Sequence, residues 1–253
     1  MNSNIKEIGH LSFKLKSTEE FRNFYENVLK LPIGFILKTS DDEDRIIYYQ
    51  LDHGQFIEIF PETKQAGWPE YDGHNHDEYY SYQYTTLGVG EGKVIQDPEF
   101  NTWKINTGKN FISKVTYHSN DIQKAKEFYE NILNLDIVLD TPNCVHIKVN
   151  DKQIIEILNI SYPKNNCTNN KGQCHYALIV EDIELSARRL EEKGIQLYHG
   201  PKTMNMPYTE PYKKIPHSEN SYNFYIQDPD DNEIEVMSYS SESFQLVYAK
   251  KEL

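Results

Sequence analysis

Cysteine is scarce in this sequence: Cys144, Cys167 and Cys174 are its 3 thiols in 253 residues. So few, so irregularly spaced, exclude a disulfide framework. With no CxxC pair among them, they also exclude a zinc-finger or zinc-ribbon module. They read as reduced thiols of a cytosolic protein. Long apolar runs are absent as well, and none approaches the roughly 18 residues of a membrane helix. The N-terminus, MNSNIKEIGH, lacks the charged-then-apolar pattern of a leader. The expectation is a cytoplasmic protein with no membrane partner. Positive charge is short too: 26 Lys and Arg stand against 39 Asp and Glu, a net charge of −13. Such a surface argues against nucleic acid and anionic membranes, and leaves a small molecule as the expected partner. Apolar residues are 38% and lean on 19 Tyr and 11 Phe, which points to an aromatic-rich interior or pocket. The length suits one large domain or two small ones.

What the chain does have is a repeat. Residues 17–31 read STEEFRNFYENVLKL and residues 121–135 read DIQKAKEFYENILNL. Phe21, Phe24, Tyr25, Val28 and Leu29 follow the i, i+3, i+4, i+7, i+8 spacing of a buried helix stripe. Ala125, Phe128, Tyr129, Ile132 and Leu133 repeat it. Ser17 with Glu20, and Asn120 with Gln123, are plausible capping pairs. Strand-like segments at 8–15 and 112–119 precede the two helices. Three more follow each, closing on QFIEIF and QIIEIL. The unit is β-α-β-β-β. A third copy starts near Cys174: HYALIV, a helix from Asp182 to Gly194, YNFYIQ, the turn DPDDN, and EIEVMSY. We number these units one, three and four. Residues 63–110 contain IQDPEFNTWKI, which parallels IQDPDDNEIEV at 226–236. They are either a shrunken unit two or an insertion.

Repeated β-α-β-β-β units, with FYxxxLxL on the helix and DPxxNxIEV closing the last copy, resemble the vicinal oxygen chelate superfamily. That superfamily includes glyoxalase I, extradiol dioxygenases and bleomycin resistance proteins. The resemblance implies an α+β fold in which units pair into cup-shaped, mostly antiparallel sheets. It divides the chain into 1–110, with an intact first unit and a degenerate or inserted second half, and 111–253, a complete glyoxalase-like domain. It also implies a divalent ion in a cup, held from the first and last strand of each unit.

Strand alternation says which side chains reach a cup. In unit one, Leu11, Phe13 and Leu15 belong with the helix and His10 faces away. Glu58 faces away from Ile57 and Ile59, between Phe56 and Phe60. A carboxylate there is costly unless paired or metal-bound. In unit four, His175 and Glu235 occupy the same positions. Unit three offers Lys114 and Glu156, an incomplete pair. Two arrangements stay open. Pairing units three and four would gather Lys114, Glu156, His175 and Glu235. The first-with-fourth pairing of fused glyoxalases would gather His10, Glu58, His175 and Glu235, and leave a second cup, with Lys104 and Lys114 at ligand positions, dead to metal.

Two imidazoles and two carboxylates suit Ni, Zn, Mn, Co or Fe. The resemblance then implies a glyoxalase I-type lyase or isomerase, with Lewis-acid stabilisation of an enediolate on a small carbonyl substrate. Glu235 is its catalytic base, Glu58 the alternative. An extradiol-type Fe(II) dioxygenase and a non-catalytic binding or resistance protein are the rival readings. A monomer or a homodimer is expected. His74 and His76 read as a solvated loop, and Tyr208, Tyr212 and His217 as possible substrate contacts from a long loop.

Overall fold

The computed structural model describes residues 4–15, 18–61, 84–98, 102–106, 108, 110–160, 173–200, 208 and 219–249. Unit one comprises β1 (Ile5–Leu15), α1 (Thr18–Arg22), β2 (Ile33–Lys38), β3 (Asp44–Gln50) and β4 (Phe56–Pro61). Residues 84–106 supply β5 (Tyr84–Leu87), β6 (Gly92–Gln96) and β7 (Thr102–Asn106). Unit three comprises β8 (Ile112–Ser119), α2 (Ile122–Glu127), β9 (Asp136–Asp140), β10 (Cys144–Asn150) and β11 (Gln153–Asn159). Unit four comprises β12 (Gln173–Val180), α3 (Ile183–Glu192), β13 (Ser221–Gln227) and β14 (Glu233–Tyr239), and α4 (Phe244–Ala249) follows it.

The strands form two curved seven-stranded sheets, in the orders β13-β14-β12-β1-β4-β3-β2 and β6-β7-β5-β8-β11-β10-β9. The first sheet therefore joins unit one to unit four. The second joins unit three to the strands of residues 84–106. The two orders correspond strand for strand: β6, β7 and β5 stand to β8 as β13, β14 and β12 stand to β1. Only four residues, 88–91, separate β5 from β6, where unit four carries α3. Residues 84–106 thus have the strand plan of a unit without its helix.

The two FYEN helices bury Phe24 and Tyr25, and Phe128 and Tyr129. Each ends in a wider, π-helical stretch, Asn23–Val28 and Phe128–Ile132, in which Leu29 N donates to Phe24 O and Leu133 N to Phe128 O. That five-residue step rotates the last turn. Val28, expected in the buried stripe, is 55% exposed as a result. The second helix is capped by Asp121, whose side chain accepts from Lys124 N, and not by the expected Asn120. A carboxylate one residue later reaches the orphan amide directly. Ser17 lies outside the described residues.

One apolar core fills the space between both sheets and their helices. Phe13 meets Trp103 across it, and Tyr117 meets Tyr176. Two buried glutamines bind the sheets to each other through main-chain atoms. Gln153 Oε1 accepts from Ile8 N, and its Nε2 donates to Ile8 O and Ile112 O. Gln55 Nε2 also donates to Ile8 O, and its Oε1 accepts from Ile112 N. Ile8 and Ile112 lie at matching points of β1 and β8. The Gln of each Q-x-I-E-I segment thus reaches the first strand of the opposite sheet.

Candidate metal centre

Neighbouring strands deliver four side chains to one point in the first cup. His10 sits opposite Ala177 of β12, and Ala177 sits opposite Glu235 of β14. Glu58 lies beside Ser12 on the other flank of β1, and Ser12 faces His175. A bulge between Ile8 and His10 shifts the alternation, so Ile8 and Leu11 both point into the core and His10 points into the cup. All four side chains are buried, none more than 6% exposed.

The ligand atoms of the four lie within 4.8 Å of one another. The two imidazole Nε2 atoms are 3.3 Å apart. Glu235 Oε2 makes ion-pair contacts of 2.9 Å to His10 Nε2 and 3.2 Å to His175 Nε2, and Glu58 Oε2 lies 3.4 Å from each ring. The opposite oxygen of each carboxylate is anchored from outside: Tyr48 OH donates to Glu58 Oε1 at 2.5 Å, and Asn223 Nδ2 donates to Glu235 Oε1. Ser12 Oγ donates to Glu58 Oε2 at 2.7 Å and touches His175 Nε2 at 2.5 Å. Each carboxylate thus offers one oxygen, Oε2, to the centre. Both Nδ1 atoms are buried without a hydrogen-bond partner, so the rings are oriented by what lies between their Nε2 atoms.

The electrostatics follow from two acids and two imidazoles sealed from water. Burial opposes the His175 imidazolium, but Glu235 and Glu58 outweigh it and push the pKa up to about 9. Burial likewise opposes the two carboxylates, yet the facing imidazoles hold Glu58 and Glu235 below the usual carboxylate range. Around the centre the cup is aromatic. Phe35, Tyr48, Phe56 and Phe60 form a cluster closed from above by Phe244 and Tyr248 of α4. Tyr225 packs its ring edge-on against His175 at 5.2 Å.

The chemistry of this donor set fits a divalent ion. Two imidazole nitrogens, neutral once an ion displaces the proton held on His175, converge with two anionic oxygens, and the two negative charges balance the ion. The alternation of the strands pointed to His10, Glu58, His175 and Glu235, and the fold brings all four together. It did not point to Tyr48, which lies opposite Glu58 on β3, or to Asn223, which lies on β13 two residues before Tyr225, the residue opposite Glu235. Only the sheet register could have revealed them. Tyr208 is placed elsewhere: it packs on Phe224 in the core. His74, His76, Tyr212 and His217 lie outside the described residues.

The second cup repeats the register with other side chains. Lys114 sits opposite Thr86, and Thr86 opposite Lys104, where the first cup has His10, Ala177 and Glu235. Glu156 is the counterpart of Glu58 and is bonded by Lys114 Nζ at 2.5 Å and Thr116 Oγ1 at 2.9 Å.

Residues 112–236 match the model of the Glyoxalase/Bleomycin resistance protein/Dioxygenase superfamily. The chain belongs to that superfamily. The superfamily fold extends over its whole length. A Bacillus subtilis structure named "putative dioxygenase" superposes with a TM-score of 0.66 at 16% identity, covering 100% of this chain and 92% of that one. Glyoxalase I from Zea mays superposes with a TM-score of 0.59 at 13% identity, covering 92% of each chain. No curated protein matches the sequence. No helix of the described residues is long and apolar enough to cross a membrane.

Proposed function

We propose that the first cup is the active site of a metal-dependent enzyme of glyoxalase I type, acting on a small carbonyl compound. His10, Glu58, His175 and Glu235 would hold the ion. The observation that carries this reading is the convergence of both Nε2 atoms and both Oε2 atoms on one buried point, with Tyr48 and Asn223 fixing the outer oxygens. When bound, a divalent ion of the Ni, Zn, Mn, Co or Fe group supplies Lewis-acid stabilisation of charge developing on a carbonyl oxygen.

The protein's own groups do the rest. Glu235 is the proposed base: Asn223 holds its Oε1, so Oε2 is the atom that takes a proton next to the carbonyl. Glu58 is the alternative, and Tyr48 and Ser12 restrain its movement. The aromatic cup and α4 keep water from the carbanion-like species that proton loss creates. The division into 1–110 and 111–253 is proposed as a fusion of two glyoxalase-like halves, with the first unit of one completing the last unit of the other.

The test is metal content per chain, measured for wild type and His10→Ala, both purified without chelators or a metal-affinity tag. About one ion in the first cup of wild type and its loss in the variant is the expected result. The loaded protein should then isomerise a small carbonyl substrate without consuming oxygen. Oxygen-dependent turnover of a catechol with Fe(II) would replace the isomerase reading with a dioxygenase. Equal binding by both proteins would reject the site, and no binding by either would leave a binding protein.

A further inference from the structure

The second cup has lost three of the four ligand positions of the first, yet it has gained two ligand-type side chains. By register, Lys114 replaces His10 and Lys104 replaces Glu235, and Tyr84 stands where His175 does. Glu156 is retained. On β10, the neighbouring strand, His146 sits opposite Glu156 where the first cup has Tyr48 opposite Glu58. Cys144 lies two residues earlier on the same face. The ligand atoms of Cys144, His146 and Glu156 are within 4.8 Å of one another, and all three side chains are partly exposed.

The anchoring is reversed from that of the first cup, where Tyr48, the counterpart of His146, holds the outer oxygen of Glu58 and Ser12, the counterpart of Thr116, bonds the inner one. Lys114 and Thr116 occupy Glu156 Oε1. That leaves Oε2 for His146 Nε2 at 2.8 Å and Cys144 Sγ at 3.9 Å. Tetrahedral zinc, with bonds of about 2.0–2.3 Å, holds its ligand atoms roughly 3.3–3.6 Å apart. A small opening of the His146–Glu156 pair and a small approach of the sulfur meet that spacing.

We propose that Cys144, His146 and Glu156 form a second metal site, one strand away from the position of the first, suited to a thiolate-accepting ion such as Zn(II). The thiol releases its proton on binding. Thiolate and carboxylate then balance the ion's charge. Three protein ligands leave a fourth position, facing the open cup, for water or a small ligand. Lys114 is a positioning residue that holds Glu156 in its one-oxygen presentation.

The test uses Co(II) on the full-length protein, under anaerobic conditions. The first cup contains no sulfur among its four candidate ligands, so a thiolate-to-cobalt charge-transfer band in the near ultraviolet reports the second site alone. The band is expected in wild type and in His10→Ala, and in Cys167→Ser and Cys174→Ser. It should be lost in Cys144→Ser and displaced by added Zn(II). His146→Gln should lose it too. Absence of the band in wild type, or its survival in Cys144→Ser, overturns the proposal. Because His10→Ala removes only the first site, failure of the first-cup reading and failure of this one give different results.

Discussion

Gln153 and Gln55 carry a quantitative consequence for stability. In Gln153→Ala, Ile8 N loses its acceptor and Ile112 O its donor, while Ile8 O keeps the donor from Gln55. Leaving a buried polar group unpaired costs about 1–3 kcal/mol. Two orphaned groups therefore predict a destabilisation of about 2–6 kcal/mol. Gln55→Ala orphans only Ile112 N and should cost about 1–3 kcal/mol. The double variant tests the geometry most sharply. Ile8 O, served by both side chains, is left bare only when both are gone. The loss in the double variant should then exceed the sum of the two single losses by about 1–3 kcal/mol. Equilibrium urea unfolding of the four proteins measures all three quantities. A cost below about 1 kcal/mol for Gln153→Ala, or a double variant no worse than the sum, would refute the view that these glutamines staple the sheets.

Other outcomes follow from the centre and the core. Tyr48→Phe removes the donor that fixes Glu58 Oε1, and should weaken metal binding about 10–100-fold without unfolding the protein, as read by competition with a chromogenic chelator. In the metal-free protein, His175 titrates at about 9 when folded against 6.5 when exposed. Its contribution is full below pH 6.5 and is lost as pH rises through about 9, at most about 3 kcal/mol, so metal-free protein should unfold more easily at alkaline pH and bound metal should flatten the profile. Asp228 has the opposite origin: burial, only partly offset by hydrogen bonds from Asn232, raises its carboxyl from 3.8 to about 6. The folded state then holds this proton more tightly, and stability falls by about 3 kcal/mol as pH climbs across that window. Asp228→Asn should abolish that slope in denaturation measured from pH 4 to 7.

Much of the fold was legible because alternation and turn chemistry agreed. The segments 112–119, 136–140, 144–150 and 233–239 are strands with those bounds, each set off by Asn, Asp or Gly turns. Glu58, between Phe56 and Phe60, announced a polar group on an otherwise apolar strand. The helix α4 was not legible, because Phe244–Ala249 is one short turn whose rings matter only against Phe35 of a distant strand. β5 and β6 were hidden because the helix that marks every other unit is missing between them. Cys144 and His146 escaped notice for a different reason. Their partner, Glu156, faces them across a hairpin, so the ligand spacing exists in the register of β10 and β11 and in no linear motif.

The pairing of first unit with last also dictates when the candidate metal centre can exist. The second sheet is complete within residues 84–159. The first sheet must wait for β12, β13 and β14, which begin at residue 173. A growing chain therefore carries β1 with one flank open through most of its synthesis, and closes it only when His175 and Glu235 have emerged. Contacts between such distant residues form slowly. The site is the last part of the molecule to be assembled, and a chain that stops short of Glu235 has half a cup and no centre.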